Sequence, residues 1–138
     1  MKITKVLMVF LFAGVALFSS CEDENAQMAN VAFTTITSGD IDGDVTGNGG
    51  STSKNFKWNN SLSTADYNMD ITAAKSGSFQ LLVKDSNGKV VLDKTVVAGQ
   101  GEDSRSGVTT AGASGEWTVT VNLTDFNGDG SFSFSKGD

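Results

Sequence analysis

Two short acidic segments have the residue types and the spacing that could hold a hard metal cation. They read GDIDGDVTGNGG and DFNGDG, and each places oxygen-bearing side chains at every second position. These side chains are Asp40, Asp42 and Asp44 in the first segment, and Asp125, Asn127 and Asp129 in the second. Calcium loops begin with oxygen ligands at positions 1, 3 and 5, so both segments are candidate calcium sites.

Both segments depart from the full calcium-loop pattern. The first has Val45 where such a loop has Gly and Ser51 where it has a closing Glu. The second closes on Lys136, whose charge opposes a bound cation. The alternative interpretation is a flexible acidic loop between two strands for the first segment and a hairpin turn for the second. Calcium is therefore an alternative hypothesis, and no other cofactor is expected.

Aromatic and catalytic residues are weaker candidates for a site than the two acidic segments. Trp58, Tyr67 and Trp117 could stack on sugar rings, but the latter two fall in the apolar phase of their segments and are expected in the core. The chain has no histidine, the commonest general base. A hydrolase would need a lysine nucleophile or a carboxylate pair, and nothing places a partner near Glu116. We therefore expect that the protein is not an enzyme, and a hydrolase is the third of three hypotheses.

The elements that would position these residues are β-strands. In GEWTVTVNLT the apolar residues Trp117, Val119, Val121 and Leu123 alternate with polar ones. The same period of two recurs in ADYNMDITA and SFQLLVK, and shorter strand patterns are VAFTTIT, NFKW, KVVLDKTVV and SFSFS. Residues 85–88, Asp-Ser-Asn-Gly, predict a hairpin turn, and DFNGDG predicts another. No sustained helical period follows the first twenty residues.

About eight short strands with Gly, Asn and Asp turns predict an all-β domain. We expect an antiparallel two-sheet β-sandwich, jelly-roll-like, with an immunoglobulin-like sandwich as the alternative. DSNGKVVL followed by GEWTVTVNLTDFNGDGSFSFS resembles the end of the jelly-roll domains appended to secreted peptidases, of the proprotein-convertase P-domain type. This resemblance implies a non-catalytic accessory module and carries over no functional residue.

The start of the chain predicts secretion. Lys2 and Lys5 precede thirteen apolar or small residues, 6–18, a run too short to span a bilayer, which takes about 20 residues. Residues 1–20 are thus predicted to be a signal peptide. Phe18-Ser19-Ser20-Cys21 resembles the lipobox of bacterial lipoproteins, although Phe18 replaces the usual aliphatic residue. The resemblance implies lipidation of Cys21, cleavage before it and anchoring to the membrane.

The residues after the cysteine and the charge of the rest of the chain bear on location and partners. Acidic residues follow the cysteine at 22–24, and in lipoproteins of some Gram-negative bacteria such residues resemble a signal for surface display. We expect the outer membrane, with exposure on the cell surface as the finer hypothesis. The domains are a signal peptide at 1–20, a lipidated tether at 21–30 and a β-sandwich at 31–138. Without the signal, eight basic residues face sixteen acidic ones, a formal charge of −8. This balance disfavours nucleic acid, and a protein or glycan partner at the envelope is the remaining expectation.

Together these observations give three hypotheses. The first is a cell-envelope lipoprotein whose single non-catalytic β-sandwich is a binding or structural module. The second is a calcium-dependent binding module that uses the acidic segments, and the third is a hydrolase.

Overall fold

The computed structural model describes residues 26–35, 39–101 and 103–137, and the regular structure in these ranges is entirely β-strand. The strands are β1 (Ala29–Thr35), β2 (Ile41–Asn60), β3 (Ala65–Lys84), β4 (Val90–Val97), β5 (Ser104–Val108) and β6 (Gly115–Lys136). The predicted signal peptide, Cys21 and the acidic cluster lie outside the described residues. Within those ranges, no helix has the length and apolar character needed to cross a membrane.

The three long strands each bend near the middle. The pairing register shifts between Asn48 and Thr52 in β2, and between Ala73 and Ser78 in β3, both opposite the same part of β6. Gly77 lies at this level with a positive φ of 84°, and a Cβ on it would meet the carbonyl oxygen of Asp125 at 2.2 Å. Such shifts and glycines let a strand leave one layer and enter another.

The bends divide the strands between two layers. The five-stranded layer contains, in order, β1, residues 41–47 of β2, residues 128–136 of β6, residues 65–73 of β3, and β5. The four-stranded layer contains residues 52–60 of β2, residues 115–123 of β6, residues 78–84 of β3, and β4. All pairings are antiparallel.

This order is that of a jelly roll. If each bent strand counts as two segments, eight segments follow β1 along the chain. The first, eighth, third and sixth segments form one layer, and the second, seventh, fourth and fifth form the other. The predicted jelly-roll-like sandwich of about eight strands is confirmed, and the immunoglobulin-like alternative is not the topology found. β1 adds an edge strand, and it begins at Ala29, inside the predicted tether.

The core lies between the layers, where the alternating apolar residues meet. Trp117 is fully buried, and its indole N–H donates to the carbonyl of Ala113 at 2.7 Å. Its ring packs perpendicular to that of Trp58 at a centroid distance of 6.1 Å. Phe33 of the five-stranded layer stacks on Phe56 of the four-stranded layer at 5.1 Å. The predicted core positions of Trp117, Val119, Val121 and Leu123 are confirmed.

Two segments that were predicted to connect strands lie within strands instead. GDIDGDVTGNGG is not a loop, because Ile41, Gly43 and Val45 face the core while Asp42 and Asp44 alternate with them on β2. DFNGDG is not a hairpin but the bend of the continuous strand β6. A Cβ on Gly128 would lie 1.9 Å from the carbonyl oxygen of Thr72. The glycine that predicted a turn therefore permits close approach of two strands.

The other predicted turn is confirmed. Residues 85–88 connect β3 to β4, with the N–H of Asp85 donating to the carbonyl of Lys89 at 2.9 Å. Gly88 has a positive φ of 82°, as a tight hairpin turn requires.

Candidate functional site

The structure brings together three of the six predicted cation ligands. Asp42, Asp44 and Asp129 all point outward from the five-stranded layer, on the neighbouring strands β2 and β6. In register, Asp42 lies opposite Ser133 and Asp44 opposite Ser131. These side chains thus share one exposed sheet face.

The other three predicted ligands lie elsewhere. Asp40 precedes β2 and is partly buried. Asp125 lies at the bend with a positive φ of 46°, where its N–H donates to the hydroxyl of Ser51 at 2.9 Å. Asn127 is also at the bend, opposite Asn48. The two acidic segments therefore do not form two separate loop sites.

The third strand of this face contributes residues that the sequence did not single out as a site. Asp70 of β3 lies opposite Ser131 on the other side of β6, and Asn68 lies opposite Ser133. Asp66, further along the same strand, also faces outward. Their alternation predicted a polar strand face, but only the long-range register shows that this face adjoins the one that carries Asp42 and Asp44.

Small residues between two rows of longer ones form a groove, which we call the acidic groove. Its floor is β6, with Ser131 and Ser133, and its walls are Asp42, Asp44 and Thr46 of β2 and Asn68, Asp70 and Thr72 of β3. Since neighbouring strands lie ~4.8 Å apart, the walls stand ~10 Å apart. One part of the groove has a volume of about 360 Å³ and the adjoining part, which includes Asp129, about 430 Å³. These dimensions suit a single extended chain lying along β6.

The face around this groove carries a concentrated negative charge. The described outward positions of the five-stranded layer include five aspartates and no Lys or Arg: Asp42, Asp44, Asp66, Asp70 and Asp129. None of these five side chains makes a hydrogen bond or an ion pair with another described residue. Like charges on neighbouring strands destabilise a sheet. Their carboxylate oxygens are thus open to solvent and to a ligand.

The outer face of the four-stranded layer is organised differently. Its side chains bond one another across the strands: Ser53 to Asn122 at 2.6 Å, Asn122 to Gln80 at 3.0 Å, and Gln80 to Asp93 at 2.9 Å. Lys57 also pairs with Glu116 at 3.7 Å. This face satisfies much of its own polar chemistry, so the acidic groove is the stronger candidate for ligand binding.

Two predicted kinds of site have less support from this geometry. No group of three or more His, Cys, Asp or Glu side chains that could hold a metal ion occurs within residues 26–35, 39–101 and 103–137. The three aromatic side chains proposed to stack on sugars are in the core: Trp58, Tyr67 and Trp117. An aromatic stacking platform built from them is therefore wrong, and contacts in the acidic groove would be polar.

Comparison with known proteins gives similarity at the level of solved structures alone. No family model matches the chain, and no curated protein sequence matches it. The lipobox and P-domain resemblances therefore stay predictions.

Solved structures that resemble the chain include carbohydrate-binding modules. TmCBM61, in complex with β-1,4-galactotriose, has 10% identity and a TM-score of 0.40, over 81% of this chain and 89% of that one. The family 11 module of the cellulosomal cellulase Lic26A-Cel5E of Clostridium thermocellum has 7% identity and a TM-score of 0.39, over 82% and 84%. The family 11 module from Clostridium thermocellum with a β-1,3-1,4-mixed-linked tetrasaccharide has 6% identity and a TM-score of 0.36, over 80% and 81%. Similarity at this level does not identify a ligand for this chain.

Proposed function

We propose that this chain is a lipid-anchored protein of the bacterial cell envelope whose jelly roll is a non-catalytic binding module. Its ligand is a glycan, bound along the acidic groove. The observation that carries this proposal is the contrast between the two outer faces. On one, side chains hydrogen-bond to one another across the strands; on the other, five carboxylates have no hydrogen-bond or ion-pair partner among the described residues.

The chemistry of the groove favours a ligand rich in hydroxyl groups. Carboxylates accept hydrogen bonds, serine hydroxyls donate and accept, and the amide of Asn68 does both. Hydroxyl-to-carboxylate bonds are charge-assisted and about twice as strong as neutral ones. Asp44 and Asp70 lie on either side of Ser131, so a polyol lying on β6 can donate to both walls at once.

Two other ligand classes fit this face less well. Protein interfaces have cores that are depleted in charge and enriched in aromatic side chains, whereas this face has charged groups at its centre. A metal ion would need converging ligands, and the described residues provide no such group. Calcium is kept as the alternative hypothesis, in which binding of the ligand would depend on the ion.

The decisive binding experiment compares the full chain in detergent micelles with the double variant Asp44→Asn/Asp70→Asn. Affinity is measured against a panel of immobilised envelope and plant polysaccharides. A hydrogen bond to a charged group contributes ~1.5–3 kcal/mol, and ~1.4 kcal/mol is tenfold in affinity. We expect the double variant to bind at least about tenfold more weakly.

The matched control removes two negative charges from the opposite face, with Asp93→Asn/Glu116→Gln. If this variant loses affinity as much as the groove variant does, or if the groove variant binds normally, the acidic groove is not the binding site. Repeating the assay with a chelator separates the hypotheses, because binding that disappears with the chelator supports the calcium-dependent alternative.

The anchor has its own experiment. Cells expressing the wild-type chain should incorporate labelled palmitate into it, and cells expressing Cys21→Ser should not, because Cys21 is the only thiol in the chain. Equal labelling of the two proteins would contradict lipidation of Cys21.

A further inference from the structure

The segment that leads into β1 is tied to the bend of β2. The N–H of Met28 donates to the side-chain oxygen of Asn48, and the Asn48 side-chain amide donates to the carbonyl of Ala26. In return, the carbonyl of Met28 accepts from the N–H groups of Asn48 at 2.9 Å and Gly50 at 3.2 Å. Four hydrogen bonds thus hold residues 26–28 against the bend.

Two glycines make room for this segment. A Cβ on Gly50 would lie 2.4 Å from the backbone of Met28, which is closer than atoms can approach. Gly49 has a positive φ of 113°, and a Cβ on it would lie 3.2 Å from the Gln27 side chain. The Asn-Gly-Gly sequence therefore forms a cradle shaped for the backbone of residues 27–28.

The core gains little from this arrangement. The side chain of Met28 is 67% exposed, and Ala26 and Gln27 are exposed as well. The contacts are made by backbone and by one amide, so their main effect is to fix the place and direction in which the chain leaves the sandwich.

We propose that the bend end of the sandwich faces the lipid bilayer. This inference rests on the proposed lipid anchor at Cys21. Four residues lie between Cys21 and Ala26, so five residue-to-residue steps join them. An extended chain spans at most ~3.6 Å per step, so the anchor lies within ~18 Å of the bend. Residues 52–60 run from the bend to the opposite end of β2, and nine residues of strand cover ~30 Å. The length of the sandwich therefore exceeds the ~18 Å reach of the tether, which keeps the bend end nearer to the anchor.

The orientation has a consequence for the acidic groove. The groove follows β6, which runs away from the bend, so it stands upright on the membrane and is open to the side. A polymer ligand approaching along the cell surface can then enter it without displacing the domain from the bilayer.

The experiment measures energy transfer from the protein to the membrane. Single cysteines are introduced at Thr124, which is exposed at the bend, and at Asn87, which is exposed in the distal turn. Since Cys21 is the only native thiol and lipidation occupies it, a maleimide donor labels the new cysteine alone. The full lipidated chain is reconstituted into phosphatidylethanolamine vesicles containing an acceptor-labelled lipid. We expect clearly greater transfer from position 124 than from position 87.

The outcomes separate this inference from the anchor on which it depends. Chains that fail to associate with vesicles would overturn the anchor, and with it this orientation. Chains that associate but show equal transfer from the two positions, or greater transfer from position 87, would overturn the orientation alone.

A variant tests the cradle itself. In Asn48→Ala the ratio of transfer between the two positions should fall toward one, because residues 26–28 lose two of their four hydrogen bonds. The matched control is Asn55→Ala, on the other half of β2, where the ratio should stay as in the wild type. An unchanged ratio in Asn48→Ala, with an unchanged melting temperature, would overturn the role of this side chain.

Discussion

Replacing Trp117 with Ala is the most direct test of the fold. The side chain is fully buried between the layers, packs perpendicular to the ring of Trp58, and donates through its indole N–H to the carbonyl of Ala113. The substitution removes the ring from the core and leaves that carbonyl with the Ser86 hydroxyl, at 3.1 Å, as its remaining side-chain donor. Trp to Ala at buried sites costs ~3–5 kcal/mol, out of a total stability of ~5–15 kcal/mol for a small domain.

The expected result is a large loss of thermal stability. For a domain of this size each kcal/mol shifts the melting temperature by roughly 4 °C, so the transition should fall by ~12–20 °C. Melting is followed by far-ultraviolet circular dichroism, because the substitution removes one of two Trp fluorophores.

The control is Thr118→Ala, one residue along β6. Thr118 points to the outer face of the four-stranded layer, where its hydroxyl accepts from Lys57 at 2.9 Å, an exposed bond. Its loss should cost less than ~1 kcal/mol. If Trp117→Ala has the melting temperature of the wild type while Thr118→Ala is strongly destabilised, the inward and outward faces of this strand have been assigned the wrong way round.

Three further predictions concern stability. Backbone N–H groups of Ala113, Lys89 and Asn87, together with the Lys89 charge, hold the pKa of Asp85 below its ordinary value of 3.8 despite partial desolvation. The ionised Asp85 therefore stabilises the fold fully above pH 3.8, and this stabilisation is lost as the pH falls through the lowered pKa. On acidification the melting temperature of Asp85→Asn should drop less than that of the wild type. Equal drops in the two proteins would contradict the lowered pKa. Gly128→Ala should disrupt folding because its Cβ would meet the Thr72 carbonyl, whereas Gly107→Ala meets only the Tyr67 ring at 3.3 Å and should be mild, as denaturant titration can check. Asp44→Asn/Asp70→Asn should melt no lower than the wild type, since like charges are removed, and a lower transition would mean that these carboxylates stabilise the fold.

The strands and the core could be predicted because a period of two is a local signal. Trp117, Val119 and Val121 needed no knowledge of their partners to be placed inward, and all are buried. The turn at residues 85–88 was predictable for the same reason, since its geometry is set within four residues.

The bends could not be predicted in the same way. Asn127 and Gly128 have the composition of a hairpin turn, yet here they lie within β6, opposite Asn48 and Gly47 of β2. The same glycine can permit a positive φ or a close approach between backbones, and local sequence does not distinguish the two uses. The decision depends on partners about eighty residues away.

The candidate site was predictable in its chemistry but not in its composition. Oxygen ligands at every second residue identified Asp42, Asp44 and Asp129, because this spacing is shared by a calcium loop and by the outer face of a strand. Asp70 was missing from the prediction because it joins the groove only through the pairing of β3 with β6. In a jelly roll, neighbouring strands are distant in sequence, so a site on a sheet face is assembled from segments that carry no common motif.

The difference between the two outer faces is the reason for placing the ligand on one of them. Both faces are built largely from the same three bent strands. Folding requires only that the side chains on these faces be solvated. On one, cross-strand hydrogen bonds link Ser53, Asn122 and Gln80. On the other, aspartates line both walls of a groove whose floor carries Ser131, Ser133 and Asp129, an arrangement that adds repulsion to the free protein. A ligand that donates hydrogen bonds to both walls relieves that repulsion, and its binding therefore gains from an arrangement that the isolated domain does not need.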